Sequence, residues 1–184
     1  MKKIITVSAL FFFLLAGCQN TENGMLDTSK LTKIEMTDVS DAQKEKMPIT
    51  YQAPSVKDGL SALPFEMKLP ENLPFDAQPF QPPAITDMSH DGKQLMAEFK
   101  TSSKSNAGKS IILMITAINS EGEFDRSTSE EVKLNRGITA YYTNKTLSFN
   151  LDKVSYTITY MNGEISKDQH KSEIIDVANQ MVEQ

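Results

Sequence analysis

The chain holds one cysteine, and it closes the run Leu15-Ala16-Gly17-Cys18. A thiol can carry a lipid as a thioether. The small pair Ala16-Gly17 offers a peptidase the narrow, extended backbone it needs ahead of the bond between Gly17 and Cys18. That is the arrangement of a bacterial lipobox, in which the sulfur takes diacylglycerol before the peptide bond is cut. Lys2 and Lys3 supply a positive start, and residues 4–15 form an apolar stretch of 12 residues, a signal-peptide length that is short for a bilayer span. Residues 1–17 are therefore expected to be an address, and Cys18 the lipidated first residue of what remains. Burial of acyl methylenes at roughly 0.8 kcal/mol each makes one chain marginal, while two or three chains on Cys18 hold firmly. The expected location is the outer face of the cell membrane.

Elsewhere the residues that could do chemistry are too few or wrongly spaced. The two histidines are His90, before the turn Asp91-Gly92, and His170, in the first turn of the expected last helix. Both are expected to face solvent, and without a paired cysteine or a spaced acid they do not make a zinc site. Gly108-Lys109-Ser110 resembles the end of a phosphate loop, but Ser103 stands where a glycine is required and a strand follows instead of a helix. Glu121, Glu123 and Asp125 around Gly122 lack the loop length and closing glutamate of a calcium site. Asn144-Lys145-Thr146 is a formal glycosylation sequon without meaning in a bacterium. The expectation is no catalytic residue, no metal and no cofactor, hence a protein that is not an enzyme.

Two groups of residues could instead bind. Tyr141, Tyr142, Tyr156 and Tyr160, with Phe149, fall on neighbouring expected strands, and rings on one sheet face could make a ligand platform. The plainer reading puts one face into the core and leaves the rest as cross-strand pairs. Phe80 lies in a proline loop, residues 75–83, that could be a lid, a partner contact or a passive edge cover.

The elements that would position these residues can be read along the chain. After removal of residues 1–17, 167 residues remain, enough for one domain and a tail. Loss of Lys2 and Lys3 takes the net charge from −5 to −7, which opposes nucleic acid as a partner. Residues 18–60, polar and charged with Pro48 and Pro54, read as a flexible tether spanning on the order of 35 Å, with a short helix capped by Ser40. Residues 61–184 read as a single domain. It opens with an edge strand at 65–69 among prolines, followed by strand-like runs at 85–89 and 94–101 around Asp91-Gly92. The run 111–118, the most apolar after the address segment, reads as the central strand. Four short strands follow between Val132 and Tyr160. Ser166 with Gln169 then caps a last helix whose stripe is Ile174, Ile175, Ala178, Met181 and Val182. The fold class expected is α+β, a bent antiparallel sheet of six to eight strands with one C-terminal helix packed on one face.

The proline-rich opening, Leu63-Pro64-Phe65 through Leu69-Pro70-Glu71-Asn72-Leu73-Pro74-Phe75, resembles that of domain-of-unknown-function family 4367, extracytoplasmic domains of spore-forming Gram-positive bacteria. So does the end, with Val132-Lys133-Leu134-Asn135-Arg136-Gly137-Ile138-Thr139-Ala140, Leu147-Ser148-Phe149, Tyr156-Thr157-Ile158 and the final amphipathic helix. Phe149 stands where that family usually has tryptophan. The resemblance covers roughly residues 63–182. It implies a lipoprotein or the outer part of an anchored regulator, and so a binding or sensing module for a protein or apolar ligand. The alternative is a carrier or chaperone holding lipid or lipoprotein in a sheet-enclosed cavity, lined by Met96, Phe99, Ile112, Met114 and Phe149.

Overall fold

The computed structural model describes residues 24–37, 40–104 and 110–183; Gly17 and Cys18 lie outside the described residues. Its centre is one antiparallel sheet of nine strands in the order β1-β2-β3-β4-β5-β9-β8-β7-β6. The strands are β1 (Thr32–Lys33), β2 (Ile49–Gln52), β3 (Ala84–Asp87), β4 (Leu95–Ser102), β5 (Ile112–Ile118), β6 (Glu130–Lys133), β7 (Thr139–Tyr142), β8 (Thr146–Leu151) and β9 (Val154–Met161). Two meanders, β1 to β5 and β6 to β9, are thus sewn together along β5 and β9, where Ile115 faces Ile158. The β-branched run expected to be central is β5, fifth of nine.

The period of two separates the sheet faces cleanly. On one face Leu113, Ile115 and Ala117 of β5, Ala97 and Phe99 of β4, Leu147 and Phe149 of β8, and Ile158 and Tyr160 of β9 are fully buried. The opposite face carries Met96, Glu98, Ile112, Met114, Thr116, Ile118, Ser148, Thr157 and Thr159, all half-buried. Phe99 and Phe149 therefore lie on the face opposite Met96, Ile112 and Met114, so these five side chains line no common cavity.

Three pieces cover the core face. The C-terminal helix α3 (Lys167–Glu183) packs on β8 and β9 and buries Ile174, Val177, Ala178, Met181 and Val182. Its start is capped as expected, Ser166 Oγ accepting the Gln169 N–H at 3.2 Å, although the Gln169 side chain donates to Glu173 instead of reaching back. Ile175, placed on the stripe from sequence, is only half-buried, and Val177 takes its place. The short helix α2 (Val56–Ala62) and residues 63–83 add Ala62, Leu63 and Met67, with Phe65, Leu69, Leu73, Phe75 and Phe80 partly buried against the same core. Residues 65–69 form no strand, since prolines 64 and 70 bracket a stretch whose side chains pack while its backbone pairs with nothing regular.

The segment read as a tether is the main correction. From Gly24 onward it holds β1, the one-turn helix α1 (Asp41–Lys44), β2 and α2. Leu26 is buried in the core, its N–H donating to Gly92 O at 2.9 Å, and the Asp27 N–H donates to Ala62 O at 3.0 Å. β2 pairs with β3 along its length, Tyr51 facing Ile85. These two strands raise the sheet to nine, beyond the six to eight expected. β2 is held by pairing with β3, some 35 residues away, and β1 in turn by pairing with β2, which local polarity does not reveal.

Candidate functional site

The connection from β5 to β6 must travel from the centre of the sheet to its far edge, and it does so across the open face. Residues 119–129 pass over the ends of β9 and β8. There the Gly122 N–H donates to Ser155 Oγ, and Asn150 Nδ2 donates to Gly122 O at 3.0 Å. Ser155 Oγ lies 2.7 Å from both Ser120 O and Asn150 Oδ1, which explains why a serine of the open face is buried. Further along, Asp125 accepts the Ser127 N–H at 2.8 Å and the hydroxyls of Ser127 and Thr128. These hydrogen bonds, Ser127 first, hold its carboxyl below the usual range.

This crossover sets two side chains against Tyr141 of β7. The Phe124 ring lies 5.8 Å from the Tyr141 ring, tilted by 43°, and the Arg126 guanidinium carbon sits 5.5 Å from the Tyr141 centroid. Between crossover and sheet opens a half-open cleft of about 520 Å³, lined among others by Glu123, Phe124, Arg126, Thr139, Tyr141 and Asn150. Neither Glu123 nor Arg126 has an ion-pair partner among the described residues. An aromatic wall with Arg126 laid on it and Glu123 beside it, neither of them in an ion pair among the described residues, can hold a ligand with an apolar face and polar groups of either sign.

Of the tyrosines singled out from sequence, the structure leaves only Tyr141 at this cleft. Tyr142, Tyr156 and Tyr160 are buried on the core face, so the expectation that they offer a ligand surface is corrected. A one-residue step along β7 moves a side chain to the other face, which is why Tyr141 and its neighbour part company. Tyr156 stacks on Phe149 with centroids 5.3 Å apart, and burial pushes its hydroxyl up to about 12. Phe80 is half-buried on the core and edges a hollow of about 400 Å³ that also includes Phe75, Asp76 and Lys104.

His170, expected in solvent, is buried between Tyr142 and Tyr160. Its Nε2–H donates to Tyr160 O at 2.7 Å, since a carbonyl can only accept, and in the neutral ring Nδ1 accepts the Tyr142 hydroxyl at 3.1 Å. The rings of Tyr160 and His170 stack at 5.0 Å. Tyr160 donates its hydroxyl to Glu173 Oε2 at 2.8 Å and accepts from Asn162 Nδ2 at 3.0 Å. Burial pushes the Tyr160 hydroxyl up to about 12, with Glu173 adding to the rise. Every polar atom of this network has its partner, as a structural network requires. The signal for it was present: position 170 stands four residues before Ile174 on the buried stripe of α3. His90 is exposed, with φ 66°, in the loop that the buried Asp87 organises by accepting the N–H groups of Ser89, His90 and Gly92.

No family model matches the chain, and comparison with curated proteins and with solved structures gives no match. Among the described residues, no three His, Cys, Asp or Glu side chains gather as a metal site, and no helix is long and apolar enough to cross a membrane.

Proposed function

We propose that this chain is a surface lipoprotein, anchored on the outer face of the cell membrane through Cys18, whose domain works as a non-enzymatic binding or sensing module. The observation that carries the binding reading is the cleft at Tyr141, where Phe124 and Arg126 are brought onto the open face by a crossover pinned through Asn150 and Ser155. The loop is tied down by side-chain hydrogen bonds before any ligand arrives, so little ordering entropy remains to oppose binding. The ligand class is a protein or an apolar molecule with a polar rim. Family 4367 belongs to this reading through the residues that resemble it. The carrier alternative is the weaker one, because the side chains that would line its cavity divide between two faces.

The test is capture from the organism's own membranes by the lipidated protein, run beside Tyr141→Ser and Arg126→Ala. Both positions lie on the open face, so both variants should melt like the parent. The expected result is a ligand or partner held by the parent and lost by both variants. Identical captures from all three would remove the cleft from the reading.

A further inference from the structure

The described chain begins at Gly24, only six residues after Cys18, which at about 3.5 Å per residue reaches no more than roughly 20 Å. With the following residues folded against the sheet, a lipid on Cys18 would hold the domain close to the head groups, at the place where Leu26 docks beside Gly92. That end of the sheet is unusual. Five large apolar side chains are exposed among the described residues, namely Met25, Ile34, Met47, Met88 and Met161. The first four gather there. Met25 lies beside Gly92, its Cβ 3.6 Å from where a Gly92 Cβ would be, and Met88 belongs to the same β3–β4 loop, its N–H donating to Gln94 O. The Ile34 N–H donates to Thr50 O, and Met47 precedes β2 by two residues. Since Ile49 faces Asp87, the start of β2 and the end of β3 share this end. Met161 closes β9 at the opposite end, where β5 begins.

We propose that this end lies against the lipid bilayer, with Met25, Ile34, Met47 and Met88 entering the boundary between head groups and acyl chains. The proposal rests on the anchoring at Cys18 put forward above. Apolar side chains spaced around an anchor add contact area to a lipid that is already held, and flexible methionine adapts to a fluid surface. Lys93 here pairs with Asp91 at 3.4 Å, and Lys33, Lys44 and Lys46 are interspersed along the sequence with Glu35, Asp41 and Glu45, so no excess of basic charge favours the contact and burial drives it. Docked this way, the domain stands on the end of its sheet with a fixed orientation.

Methionine oxidation supplies the test, because the three methionines at this end and Met161 are similarly exposed, between 38% and 46%. The full lipidated protein is placed in vesicles of phosphatidylglycerol and phosphatidylethanolamine, treated briefly with peroxide, and mapped by mass spectrometry. Met25, Met47 and Met88 should oxidise about fivefold or more slowly than Met161. The mass of the N-terminal peptide reports independently on acylation of Cys18. Equal oxidation of all four methionines on an acylated protein overturns the docking and leaves the anchor standing. An N-terminal peptide without acyl groups overturns the anchor, and the docking with it.

Discussion

Gly59 of α2 comes so close to the chain ahead of β3 that a Cβ there would sit 2.2 Å from Pro83 Cγ and 3.2 Å from Ala53 Cβ. The contact fixes how α2 lies on the sheet, and it sets two effects against each other. Alanine would favour the helix by about 1 kcal/mol, while forcing a rigid proline ring aside typically costs about 1–3 kcal/mol. Gly59→Ala is therefore expected to lower stability by up to about 2 kcal/mol, and a denaturation midpoint above the parent's would refute the tight approach. His170 gives a larger effect. Replacing it with leucine strands the Tyr142 hydroxyl and the Tyr160 carbonyl in a buried place, at about 2–4 kcal/mol. Tyr142→Phe, which leaves only one imidazole nitrogen unpaired, should cost about 1–2 kcal/mol. Tyr160 adds a pH dependence. Its hydroxyl is raised from 10.0 to about 12 on folding, so the neutral form is favoured in the native state. The associated stability is complete below pH 10 and is lost as pH rises through about 12. Melts across that window should fall more steeply for the parent than for Tyr160→Phe; superimposable slopes would contradict the assignment.

Among the elements, α3 makes the clearest comparison because two adjacent isoleucines have different surroundings. Ile174 is fully buried on β8 and β9, while Ile175 is half-buried at the shoulder of the helix. Ile174→Asp puts a carboxylate among apolar partners and is expected to cost several kcal/mol, comparable with the about 5–15 kcal/mol of a whole domain. Ile175→Asp can turn its charge outward and should cost far less. Thermal melts of both variants decide the register, and similar losses would show that the helix is rotated from this placement. The same helix shows what could be read from residues alone. Ile174, Ala178, Met181 and Val182 announce the buried face, but a polar histidine on it reads as solvated in the sequence, because its partners come from β7 and β9. Strands β4, β5 and β9 were legible from alternation and β-branched content. β1 and β2 were not, since two and four residues carry too little pattern to stand out from a polar segment. Tyr141 stands out in the sequence, whereas Phe124 and Arg126 do not; only the path of the crossover brings them to it.

At the scale of the molecule, the N-terminal segment decides where the domain begins. Read by composition, a folded unit would start near residue 61. In the structure such a unit lacks β1, β2 and most of α2, and with them the burial of Leu26 and Ala53. β3 would become an edge strand, and its backbone groups from Ala84 to Asp87, now paired with β2, would be open to another chain. The core would also lose its cover beside Ile85 and Leu95, both fully buried in the intact domain. A protein of residues 61–184 is therefore expected to aggregate or to melt well below one of residues 24–184. Limited proteolysis of the full chain should leave a resistant core that begins before Asp41, close to Leu26, because cleavage between β1 and β3 requires the sheet edge to open first. If the fragment beginning at residue 61 is monomeric and melts at the same temperature as the longer one, the first strands contribute nothing to the fold. The short reach between Cys18 and the sheet, on which the membrane-facing orientation depends, would then be lost as well.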